Sequence, residues 1–180
     1  MRTFHRCLSI AVLLCAAVPA LAEGILYQMP YRWTDSDGKS MQLTQLRGKP
    51  TVLTMAYGAC KKICSTALYK MMQMQALADR DKLALQFVVV SLDPSKDTPL
   101  DWREFRTARH LDRPNWIFVS GSAADTRALA GDLGITYWIY HDHVIHDFGI
   151  TLLDAEGNRL ASMKYADDGE AAFLHPLGLR

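Results

Sequence analysis

Apolar and polar positions along this chain fall in blocks that read as strands and helices in turn. Thr51 to Tyr57 (TVLTMAY) is apolar with β-branched residues, which predicts a buried strand. Leu85 to Leu92 (LQFVVVSL) is nearly all apolar, as expected of a central strand covered on both faces. Trp116 to Ser120 predicts a further strand. Between them, Lys61 to about Arg80 carries helix formers throughout, among them Ala67, Leu68, Met71, Met72, Met74 and Leu77. Thr98-Pro99-Leu100-Asp101 reads as a helix start, with Thr98 as N-cap, Pro99 in the first helical position and an acid in the third. That helix should run to about His110. Ser122-Ala123-Ala124-Asp125 opens another helix, and Gly134 closes it.

The flanks differ. Residues 23–50 form a lead-in, where Tyr31-Arg32-Trp33 and Ser40-Met41-Gln42-Leu43 bracket the turn-rich Asp35-Ser36-Asp37-Gly38, with hairpin character. Near the other end, Ile150 to Leu153, the turn Asp154-Ala155-Glu156-Gly157 and the returning Arg159 to Lys164 make a hairpin. The histidine-rich run before it reads as a loop, and the tail from Tyr165, polar and then mildly apolar, says little. The element order is that of an α/β, thioredoxin-like fold: a central mixed sheet flanked by helices, with an N-terminal hairpin extension. Its early strands should run parallel, joined by right-handed crossovers. One domain over residues 23–180, with a core at about 40–164, is expected from the length.

Residues 1–22 read as an export signal. Arg2 and Arg6 precede the uncharged Leu8–Val18, and Ala20-Leu21-Ala22 places small residues where a signal peptidase reads them. The apolar run falls short of the about 20 residues of a membrane span. The expected location is the periplasm, with contact to a membrane only through a partner or an uncleaved signal. Lipidation at Cys15 is not expected, because Leu14 stands where a small residue is wanted.

Charge then narrows the function classes. Lys and Arg number 20 and Asp and Glu 19, and removing Arg2 and Arg6 leaves 18 against 19. No basic stripe speaks for nucleic acid. Removal of the signal also takes Cys7 and Cys15, so Cys60 and Cys64 remain. A domain of about 158 residues can bury a core without staples, so a chemical role for the surviving pair is the better reading. An oxidising compartment would close the pair unless a metal or a thiol reductant holds it open.

Cys60 and Cys64 sit where a strand ends and a helix begins. A spacing of four places both on one helix face, one turn apart. Two thiolates so placed can share one metal ion, and they can equally close a disulfide; spacing alone does not choose. The helix N-terminus and the neighbouring Lys61 and Lys62 favour thiolate over thiol. As surface lysines the two need no further role; alternatively they dock an acidic partner. Two sulfurs joined by an imidazole make a good donor set for copper, as Cu(I) or Cu(II). The imidazole expected to join them is His146, which directly precedes the hairpin strand, with His143 as a secondary candidate and His141 a surface residue. Asp142 and Asp147 are placed to orient such a ring. Met71, Met72 and Met74 point in different directions on a helix and read as core filling rather than copper ligands.

With these residues assembled, the chain resembles the Sco/SenC family: copper-binding proteins of thioredoxin-like fold that help build the binuclear copper centre of cytochrome c oxidase. The resemblance covers about residues 40–160. It rests on Cys-x-x-x-Cys at Cys60 and Cys64, on SLDPSKDTP from Ser91 to Pro99, and on His146 placed eight residues before Asp154 and eleven before Gly157. It implies that Cys60, Cys64 and His146 are metal ligands and that Asp93 is the family's supporting acid, although Asp93-Pro94 by itself is a turn. The chain departs from the family's usual pattern at Lys61 and Ser65, where proline often follows each cysteine. It departs also at Ile145 and Asp147, which flank the histidine in place of Asp and Ser. These departures bear on the partner more than on the metal.

The implied function is a metallochaperone that passes copper to an apo-cuproprotein, such as a cytochrome c oxidase subunit. The alternative is a thiol-disulfide oxidoreductase using Cys60 and Cys64 as a redox-active pair on the cysteines of a metal-site partner. Against a general thioredoxin stand the three-residue spacing and the lack of proline in Val144-Ile145-His146. Tyr57 occupies the position where a peroxiredoxin needs Thr. A copper or redox sensor is a third reading, for which Trp138 beside the histidines would be a convenient reporter.

Overall fold

The structure, a computed structural model, describes residues 25–59 and 63–178. Residues 1–24, where an export signal is expected, Cys60, Lys61, Lys62 and residues 179–180 lie outside the described residues, as do the side chains of Ile25, Ile63, Cys64 and Ser65. A short helix α1 (Ile25–Gln28) leads into the hairpin β1 (Trp33–Asp35) and β2 (Ser40–Met41), followed by a 3-10 turn at Leu43–Leu46. Asp35 closes the hairpin, its carboxylate accepting from the amides of Asp37 and Lys39. Next come β3 (Thr51–Ala56), α2 (Ile63–Arg80), β4 (Gln86–Ser91), α3 (Pro99–Ala108), β5 (Trp116–Gly121) and α4 (Ala123–Leu133). The chain ends with β6 (Tyr137–Tyr140), β7 (His143–His146), β8 (Ile150–Leu153), β9 (Arg159–Met163) and α5 (Glu170–Leu174).

Seven strands form one sheet in the order β2-β1-β5-β4-β3-β8-β9. β3, β4 and β5 run parallel, while β1 joins β5, β8 joins β3 and β9 joins β8 antiparallel. This is a thioredoxin-like arrangement, as the pattern of apolar runs predicts. Every residue of β3 and β4 is buried, which is what continuous apolar strands require when helices cover both faces.

The helix signals hold. Thr98 and Asp101 form a reciprocal capping box at the start of α3. Ser122 caps α4 through the Asp125 amide, and Gly134 ends it in the left-handed region. Met71 and Met74 are buried in the core, whereas Met72 is exposed, so only two of the three methionines fill it.

One expectation needs correction. The histidine-rich run is not a loop: β6 and β7 pair as a separate two-stranded antiparallel ribbon, with His141 and Asp142 at its turn. The tail, on which the sequence says little, carries α5. Phe173 and Leu174 of α5 are buried, and Lys70 on α2 donates to the Asp168 carbonyl and to Glu170. No helix among the described residues is long and apolar enough to cross a membrane.

Candidate metal centre

The pairing of β8 with β3 decides where His146 lies. Ile150 stands opposite Thr54 and Leu153 opposite Thr51. Continuing this antiparallel register backwards from Ile150 carries the chain past the end of β3, towards Tyr57 and Gly58. The Thr54 hydroxyl donates to the Gly149 carbonyl at 2.7 Å and fixes that approach. The His146 ring accordingly meets Tyr57, which follows β3 and leads through Gly58 and Ala59 to Cys60.

Strand alternation in β7 then sorts the histidines. Val144 and His146 are buried, while His143 and Ile145 are exposed on the opposite face. His143 thus shares its face with Ile145 and does not accompany His146 inward. His141 occupies the ribbon's turn with a positive φ of 51°.

The His146 ring is held by the backbone. Its Nδ1 lies 2.8 Å from the Asp147 carbonyl oxygen. A carbonyl only accepts, so the proton sits on Nδ1 and the lone pair on Nε2, the tautomer suited to metal ligation. Burial pushes the imidazole pKa down; the Asp147 carbonyl and carboxylate oppose this only in part. The ring is therefore neutral at neutral pH, and a metal meets little competition from protons there.

The carboxylates expected to orient the ring do other work. Asp147 accepts from the Thr136 amide at 2.9 Å, a bond that closes the base of the ribbon and holds its carboxyl below the usual range. Asp142 lies 3.8 Å from Lys96 Nζ at the ribbon's tip. Lys96 also lies 3.7 Å from Asp93 and so links the ribbon turn to the segment after β4.

Asp93 itself is buried. Its amide donates to Ser91 Oγ, and its carboxylate accepts from Ser95. The acid that reaches the cysteine-bearing turn is instead Asp97. Its Oδ1 accepts from the Gly58 amide at 2.9 Å and its Oδ2 from Ser91 Oγ at 2.5 Å. Burial raises the Asp97 carboxyl to about 6, against these two bonds and with some help from the charges of Asp93 and Asp101.

Cys64 lies in the first turn of α2. Among the described residues no three or more His, Cys, Asp or Glu converge on a metal position, so the candidate set depends on the two cysteines. The chemistry of that set is coherent: a neutral, pre-oriented imidazole arrives beside the strand end from which the sulfurs follow.

A family model described as SCO1/SenC matches residues 20–175. The chain belongs to the SCO1/SenC family. It is 30% identical over 136 residues to Protein SCO2, mitochondrial, of Saccharomyces cerevisiae, covering 71% of this chain and 44% of that protein. Across four curated relatives the chain spans between 44% and 63% of their length. Among solved structures it is similar to Arabidopsis thaliana ScoI with copper bound, with a TM-score of 0.73 and 22% identity over 83% of this chain and 94% of that one. It is also similar to BsSco, a member of the Sco family of cytochrome c oxidase assembly proteins in which a disulfide switch was identified. There the TM-score is 0.74 and the identity 20%, over 87% of this chain and 92% of that one. These likenesses establish the fold of this SCO1/SenC chain.

Within the SCO1/SenC motif SLDPSKDTP, sequence reasoning singled out Asp93 and passed over Asp97. The available signal was a second acid just before a helix cap, close to Ser91 at the end of a nearly all-apolar strand. Tyr57 was read as a strand residue and as a mark against a peroxiredoxin, not as the aromatic neighbour of His146.

Proposed function

We propose that this SCO1/SenC chain binds copper through Cys60, Cys64 and His146 and passes it to an apo-cuproprotein in cytochrome c oxidase assembly. The observation that carries the reading is the return of His146, neutral and with Nδ1 fixed, to the end of the strand that leads into Cys60. Two thiolates and one imidazole suit Cu(I), and a three-donor set leaves room for an incoming ligand from the recipient. The copper-bound state of Arabidopsis ScoI and the membership of BsSco in an oxidase assembly family support the assignment. Export to the periplasm, directed by residues 1–22, completes the proposal.

Titration of the reduced chain with Cu(I) against a competing chelator tests it. The wild type binds one equivalent, and Cys60→Ala and His146→Ala each weaken binding by at least about tenfold, the loss expected when one ligand leaves a metal set. Unchanged affinity in both variants ends the reading.

A second reading, thiol-disulfide exchange at the same pair, is favoured by the disulfide switch of BsSco. Rapid reduction of a mixed disulfide by the copper-free protein would support it over copper delivery.

A further inference from the structure

Asp97 is a carboxylate in an expensive position. It is buried, precedes the α3 cap and faces two other acids, Asp93 and Asp101. Its backbone is pinned on both sides. The amide donates to the Asp93 carbonyl at 3.0 Å, and the carbonyl accepts from Ser120 Oγ at 2.6 Å. Ser120 in turn accepts from Trp102 Nε1 at 2.8 Å. The carboxylate so fixed bridges the end of β4, through Ser91, to the chain leaving β3, through the Gly58 amide.

Gly58 is fitted to this contact. A Cβ built there would lie 2.9 Å from Asp97 Oδ1, and its φ is not positive, so packing against the carboxylate is what favours glycine. Gly58 stands two residues before Cys60.

We infer that Asp97 is a positioning residue for the dithiol turn: by holding the Gly58 amide it fixes the path of the chain from β3 into Cys60 and Cys64. Asp93, four residues earlier, bonds within its own turn and to Lys96, and among the described residues it makes no such link. The inference rests on the reading that Cys60 and Cys64 are the working pair, whether they hold copper or exchange electrons.

The test is the equilibrium of the metal-free full chain with glutathione. The thiols of Cys60 and Cys64 give two electrons and two protons to glutathione disulfide, which leaves as two glutathione molecules while a Cys60–Cys64 bond forms. Asp97→Ala removes the acceptor and should move the equilibrium constant by about fivefold or more, the weight of one ordinary hydrogen bond, while Asp97→Asn stays within about twofold. The asparagine oxygen can still accept from Gly58 while its amide donates to Ser91. Gly58→Ala forces the same bond apart by pushing on the carboxylate while keeping the acid in the chain, and it should shift the constant as Asp97→Ala does; it carries the test if Asp97→Ala does not fold. Ser122→Ala removes the α4 cap without touching the bonds of Asp97 and should leave the constant unchanged. The inference is overturned if the foldable members of the pair Asp97→Ala and Gly58→Ala keep the wild-type constant. It is also overturned if Ser122→Ala or Asp97→Asn moves it as far as they do. Copper affinity of the wild type is measured separately, so the copper reading and this one can fail independently.

Discussion

The His146 imidazole stands edge-on to the Tyr57 ring, with centroids 6.1 Å apart and planes at 82°. The contact joins the end of β7 to the end of β3, and it walls the imidazole off from water. Burial is the main reason the His146 pKa lies below 6.5. Because the folded pKa is depressed, the folded state resists protonation; this part of the stability is lost as pH falls from 6.5 through the folded pKa. Tyr57→Ala should admit water and raise the His146 pKa toward 6.5, while Tyr57→Phe should leave it low. A proton NMR titration of the imidazole reads this directly, and an unmoved pKa in Tyr57→Ala would show that other packing protects the ring.

Asp97 carries the opposite sign. Its folded carboxyl titrates at about 6 rather than 3.8, so its contribution is full below 3.8 and lost as pH rises through about 6. Asp97→Asn fixes a neutral side chain of the same shape. At about pH 7.5 it should be more stable than the wild type by up to roughly 3 kcal/mol, with the gain shrinking toward about pH 4.5. Urea unfolding at the two pH values measures the difference. A variant less stable than wild type by the same amount at both would show that the charge carries no penalty.

The fold was legible where local chemistry and burial agree. Thr98, Pro99 and Asp101 announce α3 because a capping box is satisfied within a few residues. The run around Val88–Val90 announces a central strand because only a position covered on both faces tolerates it. The β6–β7 ribbon was not legible. Trp138, Ile139 and Tyr140 are all exposed, so they give no alternation between apolar and polar positions. At the site, His146 could be picked by its distance from the Asp154 turn, but separating it from His143 needed the strand that puts them on opposite faces. Asp97 could be noticed as a second acid before the α3 cap, but its role could not, because its partner, the Gly58 amide, lies 39 positions away and depends on tertiary packing.

The end of the chain depends on one cation. Lys70 Nζ donates at 2.7 Å to the Asp168 carbonyl and at 2.8 Å to Glu170, and its side chain is only 10% exposed. Removing it leaves a partly buried carboxylate and carbonyl without their donor. Lys70→Met should cost about 2 kcal/mol, and adding Glu170→Gln should recover part of that by removing the stranded charge. Urea unfolding of the two single variants and the double variant gives the coupling. Additive losses would mean that α5 is held by Phe173 and Leu174 alone.

Trp138 can report on the proposed centre because of where the other tryptophans are. Trp33, Trp102 and Trp116 are 1%, 0% and 2% exposed, while Trp138 is 52% exposed. It pairs across the ribbon with Ile145, the residue before His146. Its emission should be red-shifted by water relative to the buried three, and a paramagnetic Cu(II) ion held by His146 should quench it selectively. With one equivalent of Cu(II), the long-wavelength emission of the wild type should fall. Trp138→Phe should lose that quench while still retaining copper through gel filtration, and His146→Ala should lose both. The comparison separates binding from reporting, since Trp138 lies on the exposed face of the ribbon and is not a ligand candidate. Quenching that persists in Trp138→Phe would mean that the ion sits near one of the buried indoles, away from the end of β7.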